Sequence, residues 1–124
     1  MYEIRVEADF AAAHFLADYH GKCENLHGHN YKAYAHFRGS ELDSGGMLMD
    51  FSEAKQALRK ACAALDHCNL NDRAEFAQNP SAERIARYIF ERIRESLTDT
   101  DCSAALFAVD VFETPGSRAR YTAL

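Results

Sequence analysis

The alternation of apolar and polar residues opens the chain on two long half-buried strands. From Tyr2 to His14 the even positions are Tyr2, Ile4, Val6, Ala8, Phe10, Ala12 and His14, whereas the odd ones through Asp9 are Glu3, Arg5, Glu7 and Asp9. A period of two, with one apolar and one charged face, is the pattern of an antiparallel strand. From His27 to Arg38 the odd positions are His27, His29, Tyr31, Ala33, Ala35 and Phe37, and the even ones include Asn30, Lys32, His36 and Arg38. This predicts a second strand. Phe15 to Leu26 between them is a connection of about a dozen residues, long for a hairpin and therefore a candidate functional loop.

The period then changes. Ser44-Gly45-Gly46 reads as a turn, and Asp50 followed by Glu53 reads as a capping box. Phe51, Ala54, Leu58, Cys62 and Leu65 fall on one helical stripe. A polar connection runs from Asn69 to Asn79. Asn79-Pro80 predicts an N-cap with proline at the first helical position, and Ile85, Ile89, Ile93 and Leu97 form the seam of a second helix. After a polar turn at Thr98 to Asp101, Phe107, Val109, Val111 and Glu113 share one strand parity. Thr114-Pro115-Gly116-Ser117 is a tight turn, and Arg118 to Leu124 a final strand. The order β-β-α-α-β-β predicts an α+β fold: one domain over 1–124, an antiparallel sheet with two helices on one face.

Composition narrows the function. The net charge is −5, from 14 Lys and Arg against 19 Asp and Glu, with no dense basic block, which argues against a nucleic-acid platform. No apolar run approaches the roughly 20 residues of a membrane helix, and Met1-Tyr2-Glu3-Ile4-Arg5 does not start like a signal peptide. A cytoplasmic protein without membrane partners is expected. Cys23, Cys62, Cys68 and Cys102 show no C-x-x-C pairing, so reduced thiols are expected, with Cys62 and Cys102 buried.

His27 and His29, one residue apart on a strand, project from the same face. His14 closes the neighbouring strand in phase with its buried face. Paired strands bring three imidazoles to one point, and imidazole nitrogen suits zinc at about 2.0–2.1 Å. Three protein ligands leave a fourth position for chemistry. His20 and His36 lack this phase and read as loop and surface residues. Cys23, four residues before His27, lies in the loop beside the metal, where a thiolate is favoured as base or nucleophile. Asp66-His67 is a pairing suited to a general acid or base. Glu113 sets a carboxylate on an apolar strand face, costly unless paired; a ligand with adjacent N–H and NH₂ groups would fit it. Glu83 reads equally well as a residue favoured by the helix dipole or as one facing the site.

Six segments in order resemble one family: Phe10-Ala11-Ala12-Ala13-His14, Cys23 through Tyr31 with its His27-Gly28-His29 core, Gly46 through Phe51, Leu65 through Asn71, Asn79-Pro80-Ser81-Ala82-Glu83, and Val109 through Thr114. Together they are similar to the 6-pyruvoyltetrahydropterin and 6-carboxytetrahydropterin synthases. The resemblance implies the tunnelling fold, with subunits joining sheets into a barrel as a homohexamer with interfacial active sites. It implies zinc on His14, His27 and His29 as a Lewis acid, proton transfer by Cys23, Asp66 and His67, and the Asp-His pair reaching across a subunit boundary. It places a pterin ring on Glu113, with Glu83 and Ser81 in the substrate-binding set; Ser81 stands where threonine is usual. The implied substrate is 7,8-dihydroneopterin triphosphate. The Cys23-to-His27 spacing resembles the carboxy-forming enzymes of queuosine synthesis. Glu24 stands where a folate-pathway branch uses glutamate to make 6-hydroxymethyldihydropterin, and a pyruvoyl product is a further alternative. A metal-free Cys-His-Asp thiol enzyme and a non-catalytic zinc or pterin-binding module are the rival classes.

Overall fold

Strands β1 (Tyr2–His14) and β2 (His27–Gly39) pair antiparallel along their whole length, Tyr2 opposite Gly39 and His14 opposite His27. The register sets the even positions of β1 on the same face as the odd positions of β2, as the alternation predicts. The computed structural model describes residues 1–16, 25–77, 79–97 and 104–123. His20, Cys23, Glu24 and Cys102 fall outside the described residues, as do the Thr98–Asp101 turn and Leu124.

Helix α1 (Phe51–Ala63) starts where Asp50 accepts a hydrogen bond from Ser52 N at 2.8 Å. Gly46 takes φ 79° in the preceding turn, a conformation that favours glycine. Ala54, Leu58, Ala61 and Cys62 are buried, and Leu65 continues the stripe past the helix end. Phe51, expected on that stripe, is exposed because it opens the helix ahead of the buried face.

Helix α2 (Ala82–Ser96) begins later than Asn79-Pro80 suggests. Ser81 is the N-cap, its Oγ accepting from Arg84 N at 3.3 Å. Pro80 remains outside the helix, and its carbonyl is engaged by His14 Nδ1 at 2.8 Å. Ile85, Ile89 and Ile93 are fully buried.

Strand β4 (Ala105–Thr114) pairs with β2, and β5 (Ser117–Tyr121) with β4, all antiparallel. Beside β1 lies a short addition, β3 (Cys68–Asn69), paired parallel through Ala12–Cys68 and Ala13–Asn69. Two residues carry no periodicity, so the sequence concealed it. The result is a five-stranded mixed sheet, order β3-β1-β2-β4-β5, in an α+β fold. α1 lies against β1 and β2, and α2 against β4 and β5.

Two side-chain placements depart from the parity argument. A register shift between His36 and Phe37 sets Leu106, not Phe107, opposite Phe37. Phe107 thereby turns to the open sheet face, under the Arg38 guanidinium at 3.4 Å. His36, expected at the surface, is only 7% exposed. It lies between carboxylates, Nε2 at 2.8 Å from Asp110 and Nδ1 at 3.6 Å from Glu3.

Candidate metal centre

The strand ends that pair His14 with His27 also set His29 opposite Ala12, one step in on the same face. The three rings stand 4.6–5.1 Å apart by centroid and cross at 67–87°. One ligand nitrogen from each lies within 4.8 Å of the others. Among the described residues this is the cluster able to hold a metal ion.

The partners fix the tautomers. His14 Nδ1 lies 2.8 Å from the Pro80 carbonyl and His27 Nδ1 lies 2.6 Å from the Asn25 carbonyl. A carbonyl only accepts, so each Nδ1 carries the proton and each Nε2 a bare lone pair. These two Nε2 atoms face each other at 3.0 Å. Lone pairs at that distance repel unless a cation lies between them. Tetrahedral zinc with nitrogens at about 2.0–2.1 Å would hold such a pair about 3.3 Å apart. His29 Nε2 is buried and has no hydrogen-bond partner, a cost in a folded protein unless something takes that lone pair. Burial, with the neighbouring His14 and His27, lowers the His29 pKa, opposed by Glu113. Its ring is held neutral and able to ligate. The donor set fits zinc.

Glu113, at the end of β4, brings Oε1 to 3.7 Å from His14 Nε2. The carboxylate the sequence left unpaired therefore borders the metal point. It also lines a cleft of about 410 Å³ with Leu16, Ser81, Glu83 and Arg118. The three residues read as substrate-binding thus share one cavity, although the Ser81 hydroxyl also caps α2. Tyr31, fully buried, packs edge-on to His14 and His29. Burial and the Glu113 charge keep its phenol protonated well above the ordinary range.

Asp66 and His67 do not join this cluster within one chain. Asp66 Oδ1 accepts from Ala11 N at 2.9 Å and its Oδ2 lies 3.0 Å from His67 Nδ1. The Ala11 amide, then His67, hold the Asp66 carboxyl below the usual carboxylate range. His67 sits in the left-handed region at φ 56° and its amide donates to Ala11 O at 2.6 Å. Its side chain is 83% exposed. It borders a shallow cleft with Gly28 and Asn30. A methyl at Gly28 would meet only Ala12 O at 3.8 Å, so the strand itself does not require glycine there. Cys62 is inert by comparison: burial first, then the charges of Asp9 and Asp66, push its thiol up to about 12.

Sequence reasoning missed the outer contacts of the cluster. Pro80 O and Asn25 O are backbone atoms without a residue signature. Asn71, which binds Phe15 N at 2.8 Å and Phe15 O at 2.9 Å just after His14, is a strand-like clamp made by a side chain.

The family model described as 6-pyruvoyl tetrahydropterin synthase matches residues 3–123. The chain belongs to this family. A relative from Synechocystis sp., named 6-carboxy-5,6,7,8-tetrahydropterin synthase, is 36% identical over 98% of this chain and 93% of its own. One of the same name from Haemophilus influenzae is 30% identical over 98% and 99%. The solved 6-pyruvoyl tetrahydropterin synthase of Caenorhabditis elegans superposes with TM-score 0.84 at 28% identity, covering 99% of this chain and 96% of that one. The fold is thus the tunnelling fold of these pterin synthases.

Proposed function

We propose that this chain is a zinc-dependent lyase that converts 7,8-dihydroneopterin triphosphate and one water into 6-carboxy-5,6,7,8-tetrahydropterin, acetaldehyde and triphosphate. The observation that carries the proposal is the set of three imidazole nitrogens without proton donors, facing one point beside the Glu113 cleft. The names of the relatives from Synechocystis and Haemophilus support the carboxy product.

His14, His27 and His29 would hold the metal, which when bound supplies Lewis acidity toward the substrate side-chain hydroxyls. Glu113 would accept adjacent N–H and NH₂ donors of the pterin ring, a bidentate charge-assisted pair. Glu83 and Ser81 line the same cavity and would border the ring. Cys23 takes a proton from the side chain, and Asp66 orients His67 for a second transfer. His67 is too exposed to work inside its own chain, which favours a site shared between subunits.

The sheet supports such sharing. Among the described residues, β1 is bordered by β3 only at Ala12 and Ala13, and β5 ends the sheet on the other side. Unpaired main-chain edges on both sides of the sheet suit head-to-tail joining of sheets, here into a homohexamer. No described helix is long and apolar enough to cross a membrane; a cytoplasmic site of action completes the proposal.

Incubation of zinc-loaded protein with dihydroneopterin triphosphate, with products identified by mass spectrometry, is the test. Carboxytetrahydropterin with stoichiometric acetaldehyde is expected, and Cys23→Ala is expected to abolish it while retaining zinc. Unconsumed substrate would refute the proposal. A 6-hydroxymethyl product lost in Glu24→Ala would instead assign the folate-pathway reaction.

A further inference from the structure

Strand pairing around the cluster stops at His14 itself. Its partner His27 is the last of the β1–β2 ladder, and β3 reaches only as far as Ala13. Phe15, the next residue, is gripped by a side chain. Asn71 Oδ1 accepts from Phe15 N at 2.8 Å, and Asn71 Nδ2 donates to Phe15 O at 2.9 Å. A main-chain amide only donates and a carbonyl only accepts, so these two partners determine which way the Asn71 carboxamide is turned.

Asn71 is itself anchored. It lies in the tight turn Leu70–Asp72, whose Leu70 is fully buried, and its amide donates to Asn69 Oδ1 at 3.1 Å. At the other end of the same segment, Asp66 Oδ1 accepts from Ala11 N at 2.9 Å. Residues 66–71 thus hold β1 by a side chain on each side of the two-residue β3 ladder. The consequence falls on His14. Phe15 N belongs to the peptide unit that leaves His14, and the ladders hold the unit that enters it. With both units pinned, the Cα–Cβ bond that carries the imidazole has one direction. Without the clamp, the outgoing unit is a strand end free to fray.

We infer that Asn71 is a positioning residue of the histidine cluster: its carboxamide stands in for a missing strand beyond His14 and holds the backbone from which that ring reaches the point shared with His27 and His29. The inference rests on those three histidines holding a metal ion, as proposed above. Side chains that orient ligands without touching the metal carry roughly 10–100-fold in affinity. Asn71 acts through the main chain rather than on a ligand ring, which sets its effect at the lower end of that range.

Competition between the purified full chain and a chromophoric chelator for zinc reads the effect. Asn71→Ala should bind about tenfold more weakly, at unchanged one-to-one stoichiometry. Asp50→Ala is the control for stability alone: it removes the N-cap of α1, lowers the melting temperature of the metal-free protein and leaves the clamp intact. It should keep the parent's zinc affinity. Parent-like affinity in folded Asn71→Ala, or an equal loss in both variants, would overturn the inference. Should Asn71→Ala fail to fold, amide hydrogen exchange in the metal-free parent decides. A Phe15 N–H protected like the amides of the β1–β2 ladder supports the inference, and one exchanging as fast as in an unstructured peptide overturns it. A parent that binds no zinc in the same titration would sink the metal reading itself, and this inference with it.

Discussion

At the scale of single residues, the centre consists of groups whose hydrogen-bonding capacity is committed on one side and open on the other. His14 and His27 each give Nδ1–H to a backbone carbonyl, and His29 keeps a buried nitrogen without a partner. An arrangement serving only stability would not leave that atom orphaned. His29→Ala therefore has an unusual expected signature. Zinc affinity falls by well over the roughly 100-fold of an outer-shell change, whereas metal-free stability moves by no more than about 1 kcal/mol. Elemental analysis with thermal melts of the metal-free protein checks both halves. The histidines were legible because a period of two maps sequence parity onto sheet face. Their carbonyl partners were not, since a main-chain acceptor looks the same at every residue.

Among elements, the hairpin of β1 and β2 is where sequence and structure agree best, because thirteen residues of alternation leave one register that buries the apolar set. Agreement fails where local geometry breaks the period. The shift beside His36 turns Phe107 to the open face, and β3 is too short to show a pattern. Asn79-Pro80 has the composition of a helix start, yet Ser81 takes the cap and Pro80 O goes to His14. The start of α2 is thereby tied to the histidine cluster. Ser81→Ala should cost about 1 kcal/mol, a fall of about 3–5 °C in Tm for a chain of this size. If Ser81 also contacts substrate, KM rises in the same variant at temperatures where it is fully folded; steady-state kinetics beside a melt separates the two roles.

Across the whole molecule, the open sheet face carries a buried ionic network that joins three strands. Asp110 on β4 takes two hydrogen bonds from Arg120, at 2.7 and 3.0 Å, and one from His36 at 2.8 Å. Burial opposes its ionisation, but the hydrogen bonds and charges of Arg120 and His36 outweigh this and hold its pKa below the ordinary value. A depressed carboxylate pKa contributes stability above the unfolded value, about 3.9, and loses it as pH falls through the folded one. Asp110→Asn should be about 3 kcal/mol less stable at pH 7 and should show a flatter decline below about pH 4; denaturant melts across pH test this. Native mass spectrometry at neutral pH is expected to find assemblies of six chains, and a monomer at micromolar concentration would refute the joined sheets.

Among the described residues the β1 margin from Tyr2 to about Phe10 has no strand beside it, and bare main-chain amides pair with stray strands as readily as with a sister copy. If the sheets join as proposed, the yield of folded protein should depend on how quickly two copies meet, so dilute or slow synthesis favours insoluble material.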